Sequence, residues 1–310
     1  MINNKLHIVV GGSGPSGRAI IKELKSRNLQ VKSLGRTKTK EEVESIQADI
    51  FNLEEYKKAV EGASYIYLAI GLPYNTKYWE KNWPLVMENT IEAVKSTNAK
   101  LIFLDNIYMY SEPLPNFFDE TTSEFPKSKK GLVRKKTANT LLEAIKSKKV
   151  QALIGRSATF YGPNCKNSFL YSSFLEKMLE GKQPQSLFKT DQVHTYANIT
   201  DNAKALVELA LNDTCYGEVW HLPVGEPISL NEILTIINSI LNKNFKISVM
   251  PKFLFTILSF IIPILGELKE MMYQMESPYI MSWQKFKNKF PNFKVTNYEQ
   301  GLKEMINSFH

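Results

Sequence analysis

The stretch Leu6-His7-Ile8-Val9-Val10-Gly11-Gly12-Ser13-Gly14-Pro15-Ser16-Gly17 decides how the rest of the chain is read. Leu6–Val10 is a short, mostly apolar run that reads as a buried strand, stopped by two glycines. Gly17–Arg27 follows with Ala19, Ile20, Ile21 and Leu24 as its apolar members, a helical rhythm. Gly12, Gly14 and Gly17 have G-x-G-x-x-G spacing, and Gly11, Gly14 and Gly17 have G-x-x-G-x-x-G spacing. A glycine loop between a strand and a helix lets the backbone approach a pyrophosphate. The free N–H groups of the helix start then point at it. Gly11, Ser13, Gly14, Pro15, Ser16 and Gly17 are therefore candidate dinucleotide-binding residues.

Outward from the loop, apolar runs alternate with helical patterns. Val31–Leu34, Ile46–Ala48, Tyr65–Ala69, Leu101–Leu104 and Gln151–Gly155 read as strands. Leu53–Val60, Trp79–Ser96 and Leu132–Ser147 read as helices. Strands separated by helices predict an α/β fold, a Rossmann-type doubly wound parallel sheet. After Gly162 and Pro163 the pattern changes. Residues 1–163 are expected to form the dinucleotide-binding core. Residues 164–310 are expected to add its remaining elements, about 190–222, and a smaller mixed substrate lobe. Strand ends supply further candidates. Asp49 and Ile50 follow the third strand, where a carboxylate suits the adenine amino group. Ala69, Ile70 and Gly71 end the fourth. The second strand ends at Gly35-Arg36-Thr37-Lys38, with no acid before Glu41. An acid there suits the ribose hydroxyls of NAD, and an arginine suits the 2′-phosphate, so Arg36 points to NADP(H) over NAD(H).

The formal net charge is +8, but the basic residues are scattered and no nucleic-acid-binding motif accompanies them, so no nucleic-acid partner is expected. Cys165 and Cys215 are the only cysteines, and no His/Cys/Asp cluster has metal-ligand spacing. A reducing cytoplasm and no metal are expected. Met1–Lys5 is polar and does not read as a signal peptide. Phe253–Leu265 is apolar but carries Pro263 and falls short of the roughly twenty residues a membrane span needs. Peripheral membrane contact stays open there.

On its glycine loop, Asp49, Leu104–Tyr110, Arg156–Pro163 and His194–Asp201, the chain resembles the NAD-dependent epimerase/dehydratase family of extended short-chain dehydrogenase/reductases. The resemblance implies hydride chemistry with proton transfer by a Tyr-x-x-x-Lys pair and an orienting Ser or Thr. Here Asn106 stands at the Ser/Thr position, Gly131 at the Tyr position and Lys135 at the Lys position. Lys135 would hold the nicotinamide ribose. Tyr108 or Tyr161 would supply the proton, or Asn106 and Lys135 would polarise a carbonyl without one. Tyr110, Arg134 and His194 are candidate substrate contacts. Arg134 reads equally as a salt-bridge residue, and His194 as a structural histidine. The resemblance also implies a homodimer through the helices Trp79–Ser96 and Leu132–Ser147. The expected function is an NAD(P)-dependent oxidoreductase or epimerase acting on a small carbonyl or hydroxyl compound, with a nucleotide sugar as the named possibility. The alternative is a non-catalytic NADP(H)-binding regulator of NmrA-like type.

Overall fold

A computed structural model describes residues 5–187 and 189–309. The chain divides into two compact units. Among the described residues the first comprises 5–109, 130–157 and 200–222, and the second 110–129, 158–187, 189–199 and 223–309.

The first unit is built on seven parallel strands: β1 (Leu6–Val10), β2 (Val31–Gly35), β3 (Glu44–Gln47), β4 (Ala63–Leu68), β5 (Lys100–Asp105), β6 (Gln151–Arg156) and β7 (Val219–His221). Their order across the sheet is β7-β6-β5-β4-β1-β2-β3, with every neighbouring pair parallel. The helices are α1 (Pro15–Ser26), α2 (Leu53–Ala59), α3 (Thr76–Thr97), α4 (Lys129–Lys146) and α5 (Ile199–Leu211). The chain leaves β1 towards β2 on one side and returns to β4 on the other. The switch point therefore lies between β1 and β4, where a doubly wound sheet opens a crevice at its carboxyl ends.

The sequence explains these elements. Ile8, Val9 and Val10 are buried, as a central parallel strand with both faces covered requires. Gly17, Ile20, Ile21 and Leu24 form the buried stripe of α1. Asn52 caps α2 by accepting from the backbone of Glu54 and Glu55, and Asn75 caps α3 by accepting from Tyr78. The Rossmann-type sheet expected from the alternating pattern is present, joined by a mixed region of short strands and helices.

The second unit has its own core, with Tyr161, Phe174, Tyr196, Ile233, Ile237, Leu302 and Met305 buried together. Its longer helices are α6 (Leu230–Leu241), α7 (Lys252–Ile261), α8 (Pro263–Lys269) and α9 (Tyr298–Asn307). Ser229 and Glu232 close a reciprocal capping box on α6. The run Val193–Ala197 reads in sequence as one strand, but the chain forms two short ones there. Val193–His194 pairs antiparallel with Ile228–Ser229, and Ala197–Asn198 pairs parallel with Phe160–Tyr161. No described helix is long and apolar enough to cross a membrane.

Candidate functional site

Three glycines of the loop are required by the fold itself. Gly11 has φ +87°, and a Cβ there would lie 2.7 Å from the Ala69 carbonyl oxygen. A Cβ on Gly12 would meet Ser33 Oγ at 2.3 Å, and one on Gly17 would meet the Gly11 oxygen at 2.2 Å. Gly14 differs. Its φ is −76°, and its Cβ would only touch the Gly11 oxygen at 3.4 Å. The fold tolerates a side chain at Gly14, so its bareness serves whatever approaches from outside. Gly14 is also the N-cap of α1, no side chain caps that helix, and Pro15 begins it. The first-turn N–H groups of Ser16 and Gly17 have no intrahelical acceptor and carry the positive end of the helix dipole. A bare N-cap, outward N–H groups and a position at the switch point fit the pyrophosphate of a dinucleotide.

The neighbouring strand ends line the same crevice. Ala69 N donates to the Val10 carbonyl at 3.0 Å, which holds the segment 69–71 beside the glycine loop. Ile70 is half-buried and Gly71 exposed. Asp49 is half-buried, and its Oδ1 accepts from Phe51 N at 3.1 Å, which turns the chain towards α2. Ile50 is buried, and its carbonyl accepts from Asn89 Nδ2 at 2.9 Å. Thr37 Oγ1 donates to Ser13 Oγ at 3.1 Å, and Thr39 Oγ1 donates to the Gly12 carbonyl at 2.7 Å. The groups fixed beside the loop are thus neutral hydroxyls. Arg36 and Lys38 are exposed.

The end of β5 is tightly organised. Asp105 is buried, and its Oδ1 accepts from Arg134 Nε at 2.9 Å, from Arg134 Nη2 and from Asn106 N at 2.8 Å. Its Oδ2 is buried without a hydrogen-bond partner. The Arg134 guanidinium lies 3.9 Å over the Trp83 ring and 5.2 Å from that of Phe103. Arg134 is therefore placed in a buried ion pair, the salt-bridge role that its sequence allowed. Asn106 Oδ1 accepts from Tyr108 N at 3.1 Å, which leaves Nδ2 as its donor. Tyr108 is half-buried, with its ring stacked 6.2 Å from Trp79.

Helix α4 sorts its basic residues by burial. Its buried face runs through Lys130, Val133, Arg134, Thr137, Ala138 and Leu141. Gly131 is buried, whereas Lys135 is half-buried and borders a shallow surface groove with Leu132, Lys136, Asn139, Thr140 and Glu143. The two basic side chains that turn inwards are Lys130 and Arg134. They stand one residue before Gly131 and Lys135 respectively. Lys130 is fully buried, donates from Nζ to Thr76 Oγ1 at 2.8 Å, and sits 4.7 Å over the Tyr74 ring. Lys130 and Asp105 were missed from the sequence. The helical phase of Ala138, Leu141 and Ala144 was the signal that finds Lys130.

Tyr110, Tyr161 and His194 belong to the second unit. Tyr110 is fully buried, with its ring 5.5 Å from that of Phe118. Tyr161 is buried beside Tyr298, and a Cβ on Gly301 would strike its hydroxyl at 2.6 Å. His194 stacks 5.7 Å from Tyr279, and burial pushes its pKa down to about 4, so the ring stays neutral at neutral pH. Among the described residues no three His, Cys, Asp or Glu side chains gather as a metal site.

Solved structures with the same architecture span nearly the whole chain. UDP-glucuronic acid 4-epimerase from Bacillus cereus, bound to UDP-glucuronic acid and NAD, has a TM-score of 0.80 at 17% identity. The alignment covers 98% of each chain. UDP-glucose 4-epimerase from Thermus thermophilus, in complex with NAD, has a TM-score of 0.77 at 18% identity over 98% of both chains. UDP-N-acetylglucosamine 4-epimerase from Bacillus cereus has a TM-score of 0.78 at 17% identity, covering 98% of this chain and 96% of that one. At these identities the likeness is one of fold. No curated protein is similar enough to match the chain.

These neighbours overturn the expectation of NADP(H). Where a dinucleotide is bound in them, it is NAD. The physical reason lies at Arg36. The sequence shows a cation at that position but not its aim, and an exposed guanidinium is screened by solvent. The NAD dependent epimerase/dehydratase family matches residues 7–220, more than two thirds of the sequence. The chain belongs to the NAD dependent epimerase/dehydratase family.

Proposed function

We propose that this protein is an NAD-dependent oxidoreductase or epimerase that acts on a hydroxyl-bearing carbon of a nucleotide sugar. The observation that carries the reading is the bare N-cap Gly14, which the fold does not require to be glycine, at the switch point of a sheet whose family uses NAD. The substrate class rests on the UDP-sugar enzymes that share the fold. Bound NAD would supply a reversible hydride acceptor.

The chain's own residues do the rest. Ser16 and Gly17 present N–H groups to the pyrophosphate, and Asp49 lies where the adenine end would run. The segment 69–71 borders the cofactor's path, and Lys130 fastens the next stretch through Thr76 and Tyr74. Arg134 holds Asp105, and Asp105 holds the backbone of Asn106. Asn106 Nδ2 would then donate to the substrate oxygen and stabilise negative charge as hydride leaves or arrives. Tyr108 is the phenol nearest Asn106 in sequence and is the candidate proton carrier. Tyr161 is less suited, because its hydroxyl is packed against α9. Lys135 remains a candidate for the ribose from the flank of α4. The two buried thiols suit a reducing cytoplasm, and pairing of two copies through α3 and α4 belongs to the same reading.

The test is direct. Purified protein should quench with NADH more tightly than with NADPH, and NAD⁺ should support interconversion of a UDP-hexose pair followed by chromatography. Asn106→Ala should lower kcat about a hundredfold with NADH affinity unchanged. NADH binding without turnover of any UDP-sugar tested would instead favour a non-catalytic regulator, a reading supported by Gly131 at the usual tyrosine position.

A further inference from the structure

The first acid after β2 is Glu41, well beyond the strand end at Gly35 where a ribose-binding carboxylate is looked for. The fold brings it back. Thr39 Oγ1 donates to the Gly12 carbonyl at 2.7 Å and accepts from Glu41 N at 3.3 Å, so one hydroxyl joins the glycine loop to the backbone of Glu41. Glu41 Oε1 accepts from Arg18 Nε at 2.8 Å and lies 3.9 Å from Lys22 Nζ. Arg18 N donates to the Gly14 carbonyl at 2.9 Å, so Arg18 stands on the first turn of α1. The Arg18 and Glu41 side chains are only 19% and 12% exposed.

Packing does not fold this connection back, because no residue from Arg36 to Val43 is buried. Ordering it costs backbone entropy with little apolar burial in return. What fixes it is polar. Besides the Thr39 and Glu41 bonds, Thr37 Oγ1 donates to Ser13 Oγ at 3.1 Å, and Lys25 Nζ donates to the Glu42 carbonyl at 3.1 Å. These contacts converge on the glycine loop and α1, the two elements that would meet the phosphates of a dinucleotide.

We propose that Glu41 sets the preference for NAD(H) over NADP(H), by occupying Arg18 and so withholding it from a 2′-phosphate. This rests on the proposed NAD dependence. The connection is rich in cations, but Arg36, Lys38 and Lys40 are exposed and screened by solvent. A phosphate is gripped best by a guanidinium that is fixed and partly desolvated. Arg18 meets that description, and Glu41 holds it. The Glu41 carboxylate also puts negative charge beside the first turn of α1, which repels a 2′-phosphate but not a ribose hydroxyl. An acid distant in sequence thus does the work usually given to one at the end of the second strand.

Fluorescence titrations of the full chain with NADH and with NADPH test this. Wild type should bind NADH more tightly. Glu41→Gln should bind NADPH at least about tenfold more tightly than wild type does, with NADH affinity changed less than about threefold. The double variant Glu41→Gln/Arg18→Met should lose that gain, because the freed guanidinium carries it. Should Glu41→Gln melt early, Thr39→Val takes its place, since it removes the hydroxyl that seats Glu41, and it should move the ratio in the same direction. A folded Glu41→Gln with the wild-type ratio of affinities overturns the proposal and leaves the NAD reading standing. A gain that survives in the double variant also overturns it. Wild type that binds neither dinucleotide, or NADPH as tightly as NADH, removes the NAD reading and this inference with it.

Discussion

The glycine loop and the first turns of α4 both lie in the first unit, and both carry residues proposed to handle cofactor or substrate. They differ in what makes them work. The loop acts through backbone: bare Cα atoms, free N–H groups and a φ of +87° at Gly11. The start of α4 would act through side chains, and which of its clustered basic residues face inwards depends on a helical phase set by packing. Five basic residues occur between Lys129 and Lys136, and only Lys130 and Arg134 are buried. Loop chemistry is therefore visible in spacing, while α4 chemistry becomes visible only when the helix is docked.

The contrast is sharpest at α4. Arg134→Ala strands the Asp105 carboxylate in the interior and should cost about 3–5 kcal/mol in urea unfolding. Lys135→Ala, one residue on, should stay within about 0.5 kcal/mol. Equal losses at the two positions would dissolve the distinction between an inner and an outer basic face.

The loop offers a matched pair. Gly17→Ala drives a Cβ to 2.2 Å from the Gly11 oxygen, so backbone must shift, at about 2–3 kcal/mol. Gly14→Ala meets nothing closer than 3.4 Å and should cost under about 1 kcal/mol, yet weaken NADH binding at least about tenfold. If Gly14→Ala leaves NADH affinity intact, the bare N-cap is not a phosphate cradle.

A third comparison sets one buried histidine in each unit against solvent. Burial pushes both His7 and His194 from the usual 6.5 down to about 4. The folded state keeps them neutral, whereas the unfolded chain takes up protons below pH 6.5. Stability is thus complete above pH 6.5 and falls as the pH drops towards 4, by about 2 kcal/mol per histidine at pH 5. Unfolding midpoints measured at pH 7 and pH 5 check this, and a flat profile contradicts it.

The smallest effect expected is at the thiols. Burial raises the Cys165 thiol to about 12, and Cys215 is buried too, so neither should react with a thiol reagent at pH 8 until the chain unfolds. Rapid labelling of the native protein would show that the second unit opens around Cys165.

Much of this architecture was legible in advance. Leu6–Val10 is the strand that its apolar run announced, and Leu53–Ala59 is the helix that its pattern announced. Both patterns are local, and local rhythm survives any arrangement of neighbours. The run at 193–197 misled, because its two halves pair with different partners, Ile228–Ser229 and Phe160–Tyr161. Pairing is a long-range property that no window of sequence contains.

By itself the sequence determined the glycine spacing, the alternation of strands and helices, and hence the doubly wound sheet and its dinucleotide crevice. These follow from backbone stereochemistry and side-chain periodicity, which act over a few residues. Only the tertiary structure decided that Arg134 is an internal partner of Asp105, that Lys130 is buried against Thr76, and that Tyr161 is packed beneath α9. It also brought Glu41 back onto Arg18. Burial and aim are set by elements far apart in the chain, so the same lysine or tyrosine reads identically in sequence whether it faces core, cofactor or solvent.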